Sequence, residues 1–319
     1  MTMLHWLRPL LASLLVLAGG GSTLAADPPP ARRIGISIAT LGNPFFVALL
    51  HGMQEGIRQH SPGAQMLVRS ADYDAPKQIA QIEELLAQNV ELLLVSAAAE
   101  GALTEVLRKA RTQGVVVIAV DVRAQGANQT VMTDNVLAGR MVCEHLAKTL
   151  KGQGRVVIQN GPNVSSVIDR VAGCKSALAQ FPGIKLLSDR ENGLGSVWGG
   201  HQAMQQAQKK HAPIDAVFAI NDRQALGSLQ YLRERKLERV LIGSVDGSDA
   251  VVKQIAAGSQ IVASASQSPA TMGRRAAEQG LGWLGSSSID RDTELLPPTL
   301  VHRDNAATFA AWDAAPARK

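Results

Sequence analysis

The chain has 319 residues, 46% of them hydrophobic and 18% charged, with 3% aromatic side chains and a formal net charge of +5. That length exceeds one ordinary core and suits two α/β lobes, and the apolar fraction excludes a disordered chain. The basic excess is spread along the sequence and aromatics are scarce, so neither a nucleic-acid footprint nor a base-stacking platform is expected. Two cysteines, Cys143 and Cys174, exclude a disulfide-rich scaffold and a cysteine-based zinc site.

Residues 1–26 differ from the rest. Arg8 is their one charged side chain, and Leu10–Ala18 (LLASLLVLA) is an apolar run too short to span a bilayer. Gly19, Gly20 and Gly21 break the run, and Thr23 and Ala25 stand at the −3 and −1 positions of a cleavage site. This three-part layout predicts a secretory signal peptide over 1–26 and a periplasmic mature protein. Pro28, Pro29 and Pro30 follow as a stiff leader.

From Arg33 onward, β-branched runs alternate with helical spacing. Strands are predicted at Ile34–Ala39, Met66–Ser70, Leu92–Ser96, Val115–Val120, Arg155–Gln159, Ile184–Ser188, Ala216–Ile220, Val240–Ser244, Ile261–Ala265 and Thr299–His302. Between them, stripes such as Ile79, Ile82, Leu85 and Leu86, or Leu103, Val106, Leu107 and Ala110, mark amphipathic helices. Near-continuous apolar strands separated by helices predict parallel sheets covered on both faces.

An internal repeat refines this. LLLVS ends at Ser96 and VVVIAVD at Asp121; VFAIN ends at Asn221 and VLIGSVD at Asp246, 25 residues apart in both halves. A polar residue after an apolar strand sits at the strand's C-terminal edge, where open α/β sheets bind ligands. Facing lobes would then set Asp121 and Asp246 across one cleft. The competing reading is two helix caps at a coincidental spacing.

Bond-making chemistry leaves no trace. The seven histidines are scattered without metal spacing, and no Walker A loop or GxSxG elbow occurs. GLGSVWGG at Gly193–Gly200 carries Trp198 where the dinucleotide fingerprint needs its third glycine. No cofactor is expected.

The motif ATLGNPFF at Ala39–Phe46 resembles the first ligand loop of ribose-type periplasmic sugar-binding proteins, the substrate receptors of ABC importers. DNVLAGR (Asp134, Asn135, Gly139), DRVAG (Arg170, Gly173), NDRQALG (Asn221, Asp222), VDG (Asp246, Gly247) and QSPATMG (Gln267, Pro269, Gly273) follow in that family's order. The resemblance covers about residues 33–305. It implies two Rossmann-like lobes with parallel sheets joined by a three-stranded hinge, the type I periplasmic binding protein fold. The lobes would comprise 33–133 with 268–296, and 134–267 with 297–310. It implies a monomer that captures a monosaccharide or small polyol by hinge closure and delivers it to a membrane permease, with no catalysis.

The resemblance assigns ligand contacts to Asn43, Phe45, Phe46, Asp121, Arg170, Asn221, Asp246 and Gln267. The chemistry suits a polyol. Carboxylates accept from hydroxyls, arginine donates, amides do both, and aromatic faces cover C–H surfaces. One of the two phenylalanines could instead serve the core.

Some positions depart from ribose receptors. Val122 stands where an arginine follows the first strand-end Asp, with Arg123 one place later. Val245 replaces a phenylalanine before Asp246, and Ala39 replaces a serine. The aromatic expected after the seventh strand has only Trp198 to fill it. These departures put ribose itself in doubt.

Other functions fit less well. A repressor of this fold would need an N-terminal helix-turn-helix where the export segment stands. An exported hydrolase would show turnover. A ligand-presenting partner of a membrane chemoreceptor or kinase shares every motif with a transport receptor. Cys143 and Cys174 fall on successive helices of one lobe, and either a disulfide or two buried thiols is compatible with that placement.

Overall fold

The computed structural model describes residues 32–286 and 291–313, so the export segment read from residues 1–26 lies outside the described residues. The first sheet contains β1 (Arg33–Ile38), β2 (Gln65–Ser70), β3 (Leu92–Val95), β4 (Val116–Val120), β5 (Gln129–Thr133) and β11 (Glu294–Leu296), in the order β11-β5-β4-β3-β1-β2. The second contains β6 (Gln153–Asn160), β7 (Gly183–Asn192), β8 (Ala216–Ala219), β9 (Leu241–Asp246), β10 (Ile261–Ser266) and β12 (Thr299–His302), in the order β12-β10-β9-β8-β6-β7. The two orders are one pattern used twice. The repeat seen in the sequence is therefore β3–β4 against β8–β9, each pair parallel neighbours in the register their apolar runs dictate.

Burial explains why the runs were readable. β3, β4 and β8 are buried along their whole length, which only a sheet covered on both faces permits. On the first sheet, α1 (Pro44–His60) and α9 (Pro269–Gly282) cover one face, and α2 (Ala75–Ala87) and α3 (Thr104–Thr112) belong to the other core. In the second lobe, α4 (Asn135–Thr149) and α5 (Ser165–Leu178) lie on one side, and α6 (Val197–His211), α7 (Asp222–Glu234) and α8 (Asp249–Ala256) on the other. Two strands gave no signal in the sequence. β5 (QTVMT) is flanked by polar residues, and β11 has three residues; β5 is seated by pairing with β4, and β11 by pairing with β5.

The chain passes between the sheets at Asp134, between Gln267 and Ser268, and at Pro297-Pro298. The crossings are tied together. The Asp134 backbone N–H donates to Leu296 O at 2.9 Å, and Thr133 Oγ1 donates to Gln267 Oε1 at 2.8 Å. β12 returns antiparallel to β10, whereas its counterpart β11 runs parallel to β5. Among the described residues, no helix is long and apolar enough to cross a membrane.

The contact between α4 and α5 sets the position of the site. A Cβ at Gly139 would lie 2.0 Å from Arg170 O, and one at Gly173 would lie 2.0 Å from Val136 O. Only glycine lets these backbones touch. Four residues beyond Gly139 and one beyond Gly173, Cys143 and Cys174 meet at the same seam and form a buried disulfide, with Cα atoms 5.1 Å apart. The pair that the sequence left open is thus a bridge, and among the described residues no cysteine is free.

The native protein should accordingly yield no reactive thiol when denatured without reductant. Replacing both cysteines with serine should cost about 3–4 kcal/mol of stability in urea, the loop-closure value for the 31-residue separation. Two titratable thiols in the untreated protein would refute the bridge.

Candidate ligand-binding cleft

All eight residues singled out in the sequence line one cleft between the two strand edges, a space of about 500 Å³ with its open mouth included. Four come from the first lobe. Asn43 caps α1, its Oδ1 accepting from Phe45 N at 3.1 Å. Its capping role and its place in the cleft wall coexist. Phe45 and Phe46 both belong to the core and both line the cleft, their rings edge to face with centroids 5.3 Å apart. The choice between core and wall was therefore a false one. Asp121 follows β4 with φ at 73°, a left-handed conformation that Asp tolerates better than most residues.

The second lobe supplies the rest. Asp246 ends β9 with φ at 140°, and Gly247 follows at 69°. These turns stop both strands abruptly, leaving Asp121 and Asp246 at the cleft floor. Asn221 caps α7, its Oδ1 accepting from Gln224 N at 3.0 Å and its Nδ2 donating to Gly195 O at 3.1 Å. Gln267 sits at a crossing and donates from Nε2 to Asp246 Oδ1 at 2.8 Å, so hinge and floor are wired together.

Arg170 is buried and held by two bonds. Nε donates to Asn135 Oδ1 at 2.7 Å and Nη1 to Ile220 O at 2.9 Å, while Nη1 stays 3.8 Å from Asp246 Oδ1. Behind Asp246, Asp222 is also buried. It accepts from Ser244 Oγ and Ser264 Oγ at 2.6 and 2.7 Å, and from the N and Oγ of Ser248 at 2.7 Å each. That carboxylate clamps the turn around Asp246 and Gly247 from below.

The carboxyl groups are pushed out of their usual range. Burial raises Asp121 to about 6, opposed by Arg170. Burial and the neighbouring Asp222 raise Asp246 to about 7, again opposed by Arg170. Burial raises Asp222 against its four hydrogen bonds.

Several contributors escaped the sequence. Tyr73 lines the cleft although 42% of the residue is exposed, and its ring stands edge-on to Phe46 with centroids 6.2 Å apart. Burial of its hydroxyl and the charge of Asp121 raise its pKa. Trp312 packs against Phe45 and donates from Nε1 to Asp246 O at 2.9 Å. Neither lies in a motif. Trp198, by contrast, is 67% exposed on the first turn of α6 and forms no wall. The wall on that side is aliphatic, from Val164, Val167 and Ile220.

Arg123 turns away from the cleft. It pairs bidentately with Asp169 of the opposite lobe at 2.5 and 3.0 Å, and its backbone N–H meets Ser165 Oγ at 2.7 Å. Glu100 N to Asn163 O at 3.0 Å and Arg223 Nη1 to Gly42 O at 3.2 Å complete the seal between the lobes.

Two hinged lobes whose strand edges meet over one buried polar cleft form a site suited to enclosing a small ligand. The periplasmic binding protein domain model matches residues 34–283, and the chain belongs to that family. It is 30% identical over 252 residues to the ribose import binding protein RbsB of Bacillus subtilis, covering 77% of this chain and 79% of that one. A Caulobacter myo-inositol binding protein solved with myo-inositol superposes with a TM-score of 0.80 at 26% identity, over 89% of this chain and 97% of that one. A solute binding protein of an ABC transporter from Mycobacterium smegmatis, solved with glycerol, gives 0.79 at 28% identity, over 87% and 96%.

The raised carboxyl pKa values have a measurable consequence. Asp121 binds its proton more tightly folded than unfolded. Without ligand, its contribution favours the folded state as pH falls through about 6 towards 4, and opposes it as pH rises. Asp121→Asn should therefore stabilise the protein in its closed form by up to roughly 3 kcal/mol at pH 8 and by almost nothing at pH 3.5, and by less where the lobes open. Urea unfolding at both pH values measures this. A variant less stable than wild type at pH 8 would contradict the assignment.

Proposed function

We propose that the protein is an exported receptor that closes its two lobes over a monosaccharide or small polyol and hands it to the membrane permease of an ABC importer. The observation that carries this reading is convergence. Asn43, Phe45, Phe46, Asp121, Arg170, Asn221, Asp246 and Gln267 come from separate segments, yet all border one cleft. The relatives that import ribose or hold myo-inositol and glycerol support a polyhydroxylated ligand. Phe45, Phe46 and Tyr73 offer apolar faces to ring C–H groups, and Asp121 and Asp246 accept from hydroxyls.

Closure is the proposed mechanism. The lobes 33–133 with 268–296 and 134–267 with 297–310 move as two bodies about the crossings. The Arg123–Asp169 pair and the backbone contacts at the mouth form once the lobes meet. A closed cleft excludes water, so each buried polar group pairs with the ligand or with protein. The mature chain acts as a monomer in the periplasm, starting between Ala25 and Asp27. Delivery to an importer is preferred over presentation to a sensor because the relatives are named for import and for ABC transporters.

A thermal-shift screen of monosaccharides and polyols identifies the ligand, and calorimetry then tests the site. Arg170→Ala and Asp246→Ala should each weaken binding about 10- to 150-fold, the range for a lost charged hydrogen-bond partner. Asp169→Ala should weaken every ligand alike by about fivefold or less, because it loosens the seal alone. The exposed Lys209→Ala should change nothing. Wild-type affinity in both cleft variants would move the binding site elsewhere. Separately, N-terminal sequencing of a periplasmic extract should find a start near Asp27, and an intact Met1 would refute export by cleavage.

A further inference from the structure

Beyond β12 the chain runs on along the second lobe. The His302 backbone N–H donates to Asn305 Oδ1 at 2.8 Å, and Asn305 Nδ2 donates to Leu300 O at 2.9 Å, which turns the chain. Ala306 is buried in the core shared by α6, α7 and α8, and Phe309 and Ala311 pack against that core. Asp313 fastens the next stretch. Its Oδ1 accepts from Asp249 N, in the first turn of α8, at 2.7 Å. Ser248 precedes that helix but makes no capping bond with its side chain, whose Oγ donates to Asp222 Oδ2 instead. The tail thus supplies an acceptor that the start of α8 lacks.

Trp312 stands between these two anchors on the second lobe, yet its ring belongs to the first. It packs against the core of α1 and α9 and meets Phe45 edge to face, with centroids 6.0 Å apart. Phe45 is a wall of the cleft. The indole N–H points the other way. It donates to Asp246 O at 2.9 Å, and the Gln267 backbone N–H donates to the same oxygen at 2.9 Å. A carbonyl oxygen has two lone pairs. Both are taken here, one by a hinge crossing and one by the tail, so the peptide that follows Asp246 is held from two sides. One side chain outside every motif therefore touches the backbone of the cleft floor in one lobe and an aromatic wall in the other.

We propose that Trp312 is a positioning residue for ligand capture, and that the tail 303–313 is a strap between the lobes, meeting Phe45 as the cleft closes and holding the Asp246 peptide from behind. The inference rests on the receptor reading above and adds a residue that does not line the cleft. A contact between two bodies that part on opening favours the closed state alone. Losing it shortens the life of the closed complex and leaves encounter with the open cleft unchanged. The bond to Asp246 O lies within the second lobe and acts through the aim of the carboxyl group.

The test uses the full mature chain with D-ribose, D-allose, xylitol, myo-inositol and glycerol as probes, in calorimetry and stopped-flow. Trp312→Phe keeps an aromatic ring and removes the N–H donor. It should weaken every probe that the wild type binds about two- to tenfold, the value of one hydrogen bond. Trp312→Ala removes the ring as well and should weaken them about 5- to 100-fold. In Trp312→Ala the loss should fall on the release rate, with association unchanged. Stoichiometry should stay near that of the wild type, because the folded molecules themselves bind less tightly. Ile255→Val, in the core on which the tail lies, should lower the urea midpoint and leave affinity alone. Wild-type affinity in folded Trp312→Ala overturns the strap and leaves the receptor standing. So does a loss confined to stability or to stoichiometry. If Trp312→Ala does not fold, Trp312→Phe decides, and unchanged affinity there overturns the inference. If the wild type binds no monosaccharide or polyol, the receptor reading fails and the strap falls with it.

Discussion

Arg170 is a permanently charged group with almost no contact with water, and much of the cleft follows from that. A buried guanidinium needs its donors met and its charge opposed. Asn135 at the first crossing and the carbonyl of Ile220 at the end of β8 take the donors, and Asp246 stands close enough to oppose the charge. Each partner lies at a different element's end. The arginine therefore fixes how hinge, strand edge and cleft floor sit relative to one another. It can do so because Gly139 and Gly173 bring α4 and α5 into backbone contact and the Cys143–Cys174 bridge fastens the seam.

Asp222 plays the complementary part beneath the floor. Its four hydrogen bonds draw β9, β10 and the 247–248 turn onto the first residue of α7. The positive φ at Asp246 is held by this clamp rather than by any preference of its own. The clamp keeps the Asp246 carboxyl group aimed and buried.

The sequence was most informative where one physical rule governed a residue. Apolar strands buried on both faces are conspicuous, so β3, β4, β8 and β9 could be read to within a residue or two. Polar residues at their ends, such as Asp121 and Asn221, inherit a position from the strand before them. Tyr73 and Trp312 have no such rule. Each reaches the cleft or its backing through a loop or tail whose path depends on the completed lobe. β11 is a strand because β5 offers it an edge, not because Glu294–Leu296 prefers to be one. Trp198 misled in the opposite direction. Its neighbours Gly193–Gly200 form a turn and a helix start that leave the indole in solvent. Arg123 shows how one residue of displacement matters after a left-handed turn. It exchanges a place in the cleft for a partner on the other lobe.

The third crossing, Pro297-Pro298, bears on the path of opening. A proline has no backbone N–H to donate and its φ is nearly fixed, and Pro298 is also buried. This strand of the hinge resists twisting about its own axis, and its neighbour at Asp134 is fastened to it through Leu296 O. With two of the three connections stiffened side by side, the lobes have the freedom of a door on its pins rather than of a ball in a socket. Such a joint gives one dominant swing. A solute would then enter and leave by the edge remote from the pins, where Arg223 reaches Gly42 O, and the same edge would be the face that distinguishes an open receptor from a loaded one.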